Sequence, residues 1–354
     1  MKKFTLLLCL LFPIYGYAQE TTKFTAGKHN EYGLVYSLPK TVFDIEVVAT
    51  KTTQKAGPYY MYAERYLGVP VKITENKENW QLDRATIKAY GIPDKEQEYL
   101  VKFKSGSTPY MYLNKDGLLL SVNTDPEIPA TSLTQAKKKT ESVLDNNNYA
   151  SVLTEDMLMS GSVAKMAEIA AKQIYRIRES RLDLSTGESD QKPADGAALK
   201  LMMQQLDEQE QALTALFLGT EQTEQVVKHF IWTPNGDTAN EVVFRLSDFT
   251  GIVDKNNLSG TPIYMQLKIT EKGEMPIDAK GNIKEMPKNA LAYCIPGKAE
   301  AQLTYNGKTI FKGEFQLSQA GIVYGLDPNL FTDKKAPSHV TFYPETGAIK
   351  EIGQ

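Results

Sequence analysis

Two stretches, VAKMAEIAAKQIYRI at residues 163–177 and GAALKLMMQQLDEQEQALTALFL at residues 196–218, carry the clearest pattern in the chain. In the first, apolar side chains recur at spacings of four and three, which places one apolar stripe on a helix: Val163, Ala167, Ala170, Ile174 and Ile177. The second repeats apolar positions in heptad register: Leu199, Met202, Leu206, Leu213 and Leu216, with Gln209 breaking the register once. Together they predict a long antiparallel helical hairpin.

The ends of the second helix are also marked in the sequence. Asp195 is a good N-cap residue, and Gly219 is a typical residue just past a helix end. A helix of this length is close to 40 Å long, at about 1.5 Å per residue. We expect a pair of helices this long, set between β-rich regions, to project as an interaction arm.

Both flanking regions show the pattern of short strands with frequent turns. In the N-terminal region, Asn114–Gly117 separates two apolar runs, and a short helix is expected from Gly57 to Gly68. In the C-terminal region, Asn306-Gly307 lies between alternating runs, which is the strongest short hairpin signal, and Pro344–Gly347 marks another turn.

The predicted class is α+β and mostly β, with two antiparallel, sandwich-like β-rich regions and the helical hairpin between them. We divide the chain into a signal peptide (1–18), an N-terminal β-rich domain with one short helix (19–124), a polar connector (125–159), the helical hairpin (160–220) and a C-terminal sandwich-like domain (221–354).

The first eighteen residues predict export. Lys2 and Lys3 precede the short apolar run Phe4–Ile14, and Gly16 and Ala18 are small residues placed for cleavage after Ala18. Cys9 lies inside the apolar run and follows Leu8, so it does not predict a lipoprotein. No later run is long enough to span a bilayer, so we expect a mature chain without a transmembrane segment, in the periplasm or at the extracellular surface.

The composition of the predicted mature chain argues against several classes of protein. Removing the signal takes away Lys2 and Lys3, leaving 38 basic against 43 acidic side chains, and leaves Cys294 as the one cysteine. A disulfide scaffold and a Cys-rich metal site are therefore excluded, and an acidic chain is a poor nucleic-acid binder.

Three short motifs resemble functional sites but have simpler interpretations. Cys294 lies in an apolar run and is expected to be a buried hydrophobe. Gly307-Lys308-Thr309 lacks the earlier glycine of a phosphate-binding loop and reads as a hairpin turn. Asp254–Gly260 departs from a calcium loop and reads as a polar surface loop. We assign no catalytic residue, metal or cofactor.

Two clusters remain as candidate contact surfaces. Arg176, Arg178 and Arg181, with Glu179, form either a salt-bridged helix end or a contact for a partner or an anion. A group of four tyrosines forms either part of a core or an aromatic ligand surface: Tyr59, Tyr60, Tyr62 and Tyr66.

Four segments resemble a family of exported proteins, domain of unknown function 4831, typical of Bacteroides-like anaerobes: GLVYSLP (33–39), GPYYMYAERYLG (57–68), IYRIRESR (174–181) and PADG (193–196). The resemblance covers nearly all of the mature chain. It implies export, and it implies no catalytic residue, cofactor or substrate.

These observations favour an exported, non-enzymatic binding or assembly protein of the cell envelope, with the helical hairpin contacting another envelope protein. An exported hydrolase that uses an Asp/Glu pair on a glycan or peptide is one alternative, because such a pair is defined by distance rather than by spacing. A soluble glycan-binding protein that uses the tyrosines is the other.

Overall fold

The computed structural model describes residues 19–23, 33–103, 109–126, 152–188, 195–331 and 337–354. The predicted signal peptide and most of the predicted polar connector lie outside the described residues. The described strands are β1 (Gln19–Lys23), β2 (Leu34–Lys55), β3 (Lys77–Phe103), β4 (Met111–Leu113), β5 (Leu119–Val122), β6 (Thr220–Trp232), β7 (Thr238–Ser247), β8 (Gly251–Asp254), β9 (Thr261–Glu271), β10 (Leu291–Tyr305), β11 (Lys308–Leu326), β12 (His339–Phe342) and β13 (Ile349–Gly353).

The described helices are α1 (Ala63–Leu67), α2 (Glu155–Leu158), α3 (Val163–Thr186) and α4 (Gly196–Leu218), with short 3-10 turns at Tyr60–Tyr62 and Pro328–Phe331. Both long helices lie where the apolar stripes predict them. Gly68, with φ of 67°, ends α1 in the left-handed conformation that glycine favours. The Asp195 side chain accepts a hydrogen bond from the backbone N–H of Ala198, as an N-cap does.

The β structure of the described residues consists of three antiparallel sheets, and the mostly-β α+β class is confirmed. A four-stranded sheet has the order β1-β3-β2-β6, a five-stranded sheet has the order β11-β10-β9-β7-β8, and a second four-stranded sheet has the order β13-β12-β5-β4. The predicted turns join β4 to β5, β10 to β11 and β12 to β13, with Gly117, Gly307 and Gly347 at positive φ.

Strand pairing crosses the boundary that we drew at residue 221. β6 follows the helices in sequence, yet it pairs along β2 from Phe43–Trp232 to Lys55–Thr220. β12, near the end of the chain, pairs with β5. The two β-rich regions read from the sequence therefore share sheets, because strands far apart in the chain complete each other's hydrogen-bonding edges.

Three apolar cores follow one another along β2. Tyr36 and Leu38 at its start belong to a core shared with β5, β10 and β12. Phe43 and Ile45 belong to the sandwich core between the β2 sheet and the five-stranded sheet. Just past the end of β2, Tyr59 enters a third core with α1, α3 and α4.

Candidate functional site

The helices α3 and α4 run antiparallel, and only half of the pair is packed into the body. Ion pairs join Arg178 to Glu210 and Arg181 to Asp207. Residue numbers therefore increase along α3 in the direction in which they decrease along α4. The inner half is well buried, through Ala167, Ala170, Ala171, Ile174 and Ile177 of α3 and Ala212, Leu213, Ala215, Leu216 and Phe217 of α4.

The outer half of the pair, residues 178–188 and 195–211, contains no fully buried residue in the described chain. Its apolar seam is only half buried: Leu184, Leu199, Met202 and Leu206. Leu182 and Leu201 are exposed outright, by 61% and 56%. A large apolar side chain in water forgoes about 1.5–3 kcal/mol that burial would supply, so this half presents unused contact surface.

Two arginines of the predicted cluster form ion pairs between the two long helices. Arg178 Nε lies 2.6 Å from Glu210 Oε1, and Arg181 Nη1 contacts both Asp207 and Glu210 Oε2, the latter at 3.0 Å. Hydrogen bonding to Asp207 and the charge of Glu210 raise the pKa of Arg181. The charges of both arginines are thus matched by carboxylates of α4.

The other two residues of the predicted cluster lie elsewhere on the surface of α3. Arg176 and Glu179 are exposed, and among the described residues neither takes part in an ion pair. The structure therefore brings together Arg178 and Arg181, but not the four-residue set that the sequence suggested.

A groove along α4 was not predicted. It consists of two adjoining depressions of about 440 and 480 Å³ that share Asp207 and Gln211, and we call it the helix groove. Its polar residues recur at alternating spacings of four and three, a helical stripe that the sequence already contained: Lys200, Gln204, Asp207, Gln211 and Thr214. This polar stripe lies on a different face of α4 from the apolar stripe.

Comparison with known proteins places the chain in a family. Residues 32–350 match the model of a family described as "Domain of unknown function (DUF4831)". The chain belongs to the DUF4831 family. No curated protein and no solved structure matches it.

In this DUF4831 chain the four tyrosines do not form an exposed surface. Tyr59 is buried and packs edge-to-face on Phe217, with ring centroids 5.6 Å apart. Tyr60, Tyr62 and Tyr66 are half buried, and Tyr62 and Tyr66 pack against the helical core. The physical reason is that the segment between β2 and β3 covers the inner half of α3 and α4, so its aromatic rings are used for packing.

Cys294 of the DUF4831 chain is a buried residue of β10, as the sequence predicts. Burial raises the pKa of its thiol to about 12. Since the thiolate is the reactive form, this side chain stays protonated and unreactive near neutral pH.

The described part of the DUF4831 chain contains neither a cluster of metal ligands nor a membrane-spanning helix. No three His, Cys, Asp or Glu side chains there come close enough to ligate a metal ion. None of its described helices combines the length and the apolar character needed to cross a bilayer.

Proposed function

We propose that this chain is an exported, non-enzymatic binding or assembly protein of the bacterial cell envelope, and that the outer half of α3 and α4 contacts another envelope protein. The supporting observation is the contrast within one pair of helices. The inner half buries ten side chains, whereas no residue of the described outer half is fully buried.

Packing geometry indicates what kind of partner fits. Two helices cover only one side of each other's apolar stripe, and stable bundles add further helices to complete the core. The half-buried seam at Leu199 and Met202 needs such a neighbour. An amphipathic helix of the partner protein would bury this seam. The groove residue Gln204 lies on another face of α4, next to the exposed Leu201, which is three residues before it.

A double substitution tests this surface without touching the core. Leu182→Glu combined with Leu201→Glu places two charges on exposed positions, so the fold should be preserved. The matched control is Phe249→Glu with Leu258→Glu. These two side chains are 78% and 81% exposed, and they lie on loops of the five-stranded sheet, away from the helices.

The readout is photo-crosslinking in native envelopes, with the crosslinker at Gln204. We expect the same discrete protein adduct in the wild type and in the control variant, and at least a tenfold loss of it in the Leu182/Leu201 variant. An adduct of undiminished yield in that variant, or no discrete adduct in the wild type, would refute the proposed contact.

The proposed export is tested by a separate experiment. Fractionation followed by mass spectrometry of the intact protein should find a chain that begins at Gln19 in the periplasm or at the cell surface. A chain recovered in the cytoplasm with Met1 or Lys2 at its start would refute this part of the proposal.

A further inference from the structure

A second surface lies far from the helices, at the other end of β2. There β3 passes the sheet of β4, β5, β12 and β13, and a cleft of about 540 Å³ opens between them. We call it the sheet-end cleft and define it by six of its lining residues: Tyr90, Asp116, Asp125, His339, Thr341 and Glu351. Its volume lies within the range of small-molecule sites, about 300–1,000 Å³.

β12 turns two polar side chains towards one side of this sheet. His339 and Thr341 are two residues apart on a strand, so they share a face, and both line the cleft. Opposite His339 in the ladder is Gly353, where an added Cβ would collide with the imidazole ring. The ring therefore occupies space beside the Gly353 backbone that only glycine leaves open.

These two side chains have no polar partner within the described residues. The Oγ1 of Thr341 is buried without a hydrogen bond, and the His339 ring makes none either. His229 provides the comparison, because its Nδ1 lies 3.0 Å from the Asp44 carboxylate. Buried polar groups in folded proteins are normally satisfied, so the unsatisfied Oγ1 of Thr341, beside the unpartnered imidazole that also lines the cleft, points to a ligand.

This wall of the cleft also supplies hydrogen-bonding groups of both kinds. Asp116 comes from the β4–β5 turn, which is fixed because Asn114 Oδ1 accepts backbone N–H groups from Asp116 and Leu118, both at 2.9 Å. Asp125 follows β5, and Glu351 lies opposite Thr341 in β13. Lys115 and Lys350 are the cationic members of the wall. Donors and acceptors are interleaved, and acids outnumber lysines, which disfavours an anionic ligand.

Aromatic rings complete the cleft and its rim. Tyr90 lines it. Tyr110 is 51% exposed and packs edge-to-face on Tyr112, with ring centroids 4.6 Å apart. The Tyr110 hydroxyl lies 3.5 Å from Oδ1 of Asp125, which connects this pair to the cleft. Hydrogen bonds to Tyr110 and Asp125 raise the pKa of Tyr112.

We propose that the sheet-end cleft binds a neutral saccharide, one or two sugar residues of a glycan. A sugar ring offers C–H faces that pack on tyrosine rings and a circle of hydroxyl groups that both donate and accept. The exposed tyrosines and the interleaved carboxylates, amines and imidazole match those two features. Charge, size and polarity thus converge on the same class of ligand.

This site is independent of the proposed protein contact. Val42 pairs with Tyr90 beside the cleft, and Lys55 pairs with Thr220 beside the helices. Thirteen residue steps along β2 separate these two positions, which is about 43 Å at about 3.3 Å per residue. Binding at one end can therefore be lost without loss of the other.

The test is glycan-array screening of the purified full chain, followed by calorimetry with the saccharide that binds best. Thr341→Val keeps the shape of the side chain and removes its hydroxyl, and His339→Gln keeps a polar side chain and removes the ring. We expect each to weaken binding about tenfold, the effect of losing one good hydrogen bond. Thr261→Val, on an exposed position of β9, is the matched control and should bind like the wild type.

Two results would overturn the saccharide site. One is an array on which the wild type binds no glycan, and the other is unchanged affinity in both cleft variants. The Leu182/Leu201 variant separates this proposal from the protein contact, because it should keep full saccharide affinity while its protein adduct is lost.

Discussion

Tyr36 is among the largest side chains that the fold buries completely. Its hydroxyl donates to the carbonyl oxygen of Ala292 at 3.0 Å and so ties β2 to β10. Desolvation by burial raises its pKa well above the usual value for tyrosine. Burial likewise raises the pKa of Tyr99 and Cys294, which lie in the same part of the molecule. The protonated forms of these groups are therefore part of the native packing.

Alkaline pH should unfold the protein, and Tyr36 should contribute to the slope. Above about pH 10 the unfolded chain loses the tyrosine proton while the folded chain retains it, so stability falls as pH rises. We expect Tyr36→Phe to cost about 1 kcal/mol at pH 7, where it loses one hydrogen bond, and to show a shallower fall in stability between pH 9 and 11. Urea unfolding at each pH measures both quantities.

Tyr175→Phe is the control for the hydrogen bond itself. The exposed Tyr175 hydroxyl donates to the Tyr66 carbonyl at 2.8 Å, so the bond type is the same and the burial differs. If the stability curves of Tyr36→Phe and the wild type ran parallel from pH 9 to 11, burial of this hydroxyl would not be a source of alkaline instability.

At the scale of elements, what could be predicted from the sequence depended on whether the signal was local. The helices α3 and α4 were predictable because their apolar periods and end residues lie within each helix. The turns at Asn306-Gly307 and Pro344–Gly347 were predictable for the same reason, since positive φ favours glycine. The half-exposed outer seam could not be predicted, because burial depends on which residues from elsewhere in the chain pack against the helices.

β3 shows the opposite case. Its 27 residues include Gly91 and Pro93, and both residue types argue locally against a strand. The structure supplies the reason for Gly91, because a Cβ there would collide with the carbonyl oxygen of Pro344. The contact between β3 and the β12–β13 turn requires glycine at position 91, and no local sequence pattern indicates that contact. The sheet-end cleft escaped prediction likewise, since its residues come from β3, β5, β12 and β13.

The junction of α4 with β6 yields a prediction about a single glycine. Gly219 has φ of 77°, and a Cβ there would collide with the carbonyl oxygen of Lys55. Gly219→Ala combines strain in a backbone region that is essentially restricted to glycine (φ 77°, ψ −174°) with a collision, so we expect it to destabilise the fold by about 3 kcal/mol. Denaturant unfolding measures the loss.

Gly187, at the end of α3, is the control for left-handed backbone strain without a collision. It has φ of 80°, and no heavy atom lies within 4 Å of an added Cβ. Gly187→Ala should therefore cost only the backbone strain, about 1 kcal/mol. Equal costs at the two positions would argue that the close approach at Lys55 does not hold the helices to the sheet.

Across the whole molecule, the three sheets meet at Thr41. Its Oγ1 donates to the Glu345 carbonyl at 2.9 Å in the β12–β13 turn and accepts the Ser318 N–H of β11 at 3.0 Å. Gln319 Nε2 donates to the Thr41 carbonyl at 2.6 Å. Thr41 is fully buried, so one polar network joins β2 to both other sheets.

Thr41→Val should destabilise the whole protein, although the two side chains have the same shape. It leaves the Ser318 N–H and the Glu345 carbonyl without their partner, at a cost of about 2–3 kcal/mol in the free energy of unfolding. Thr41→Ser keeps the hydroxyl and should lose about 1 kcal/mol, from one methyl group. Thermal melts rank the two variants, and a Val variant as stable as the Ser variant would show that the network does not tie the sheets together.

The course of β2 has a mechanical consequence. This one strand passes all three cores, with β3 hydrogen-bonded along one side and β6 along much of the other. If one partner held the helices and another held the opposite end of the molecule, a pulling force between them would act along β2. The hydrogen bonds from β2 to its neighbouring strands are perpendicular to that force. Tension would therefore load many hydrogen bonds at once in shear rather than unzip them one by one, so the chain is built to stay folded when stretched between two attachments.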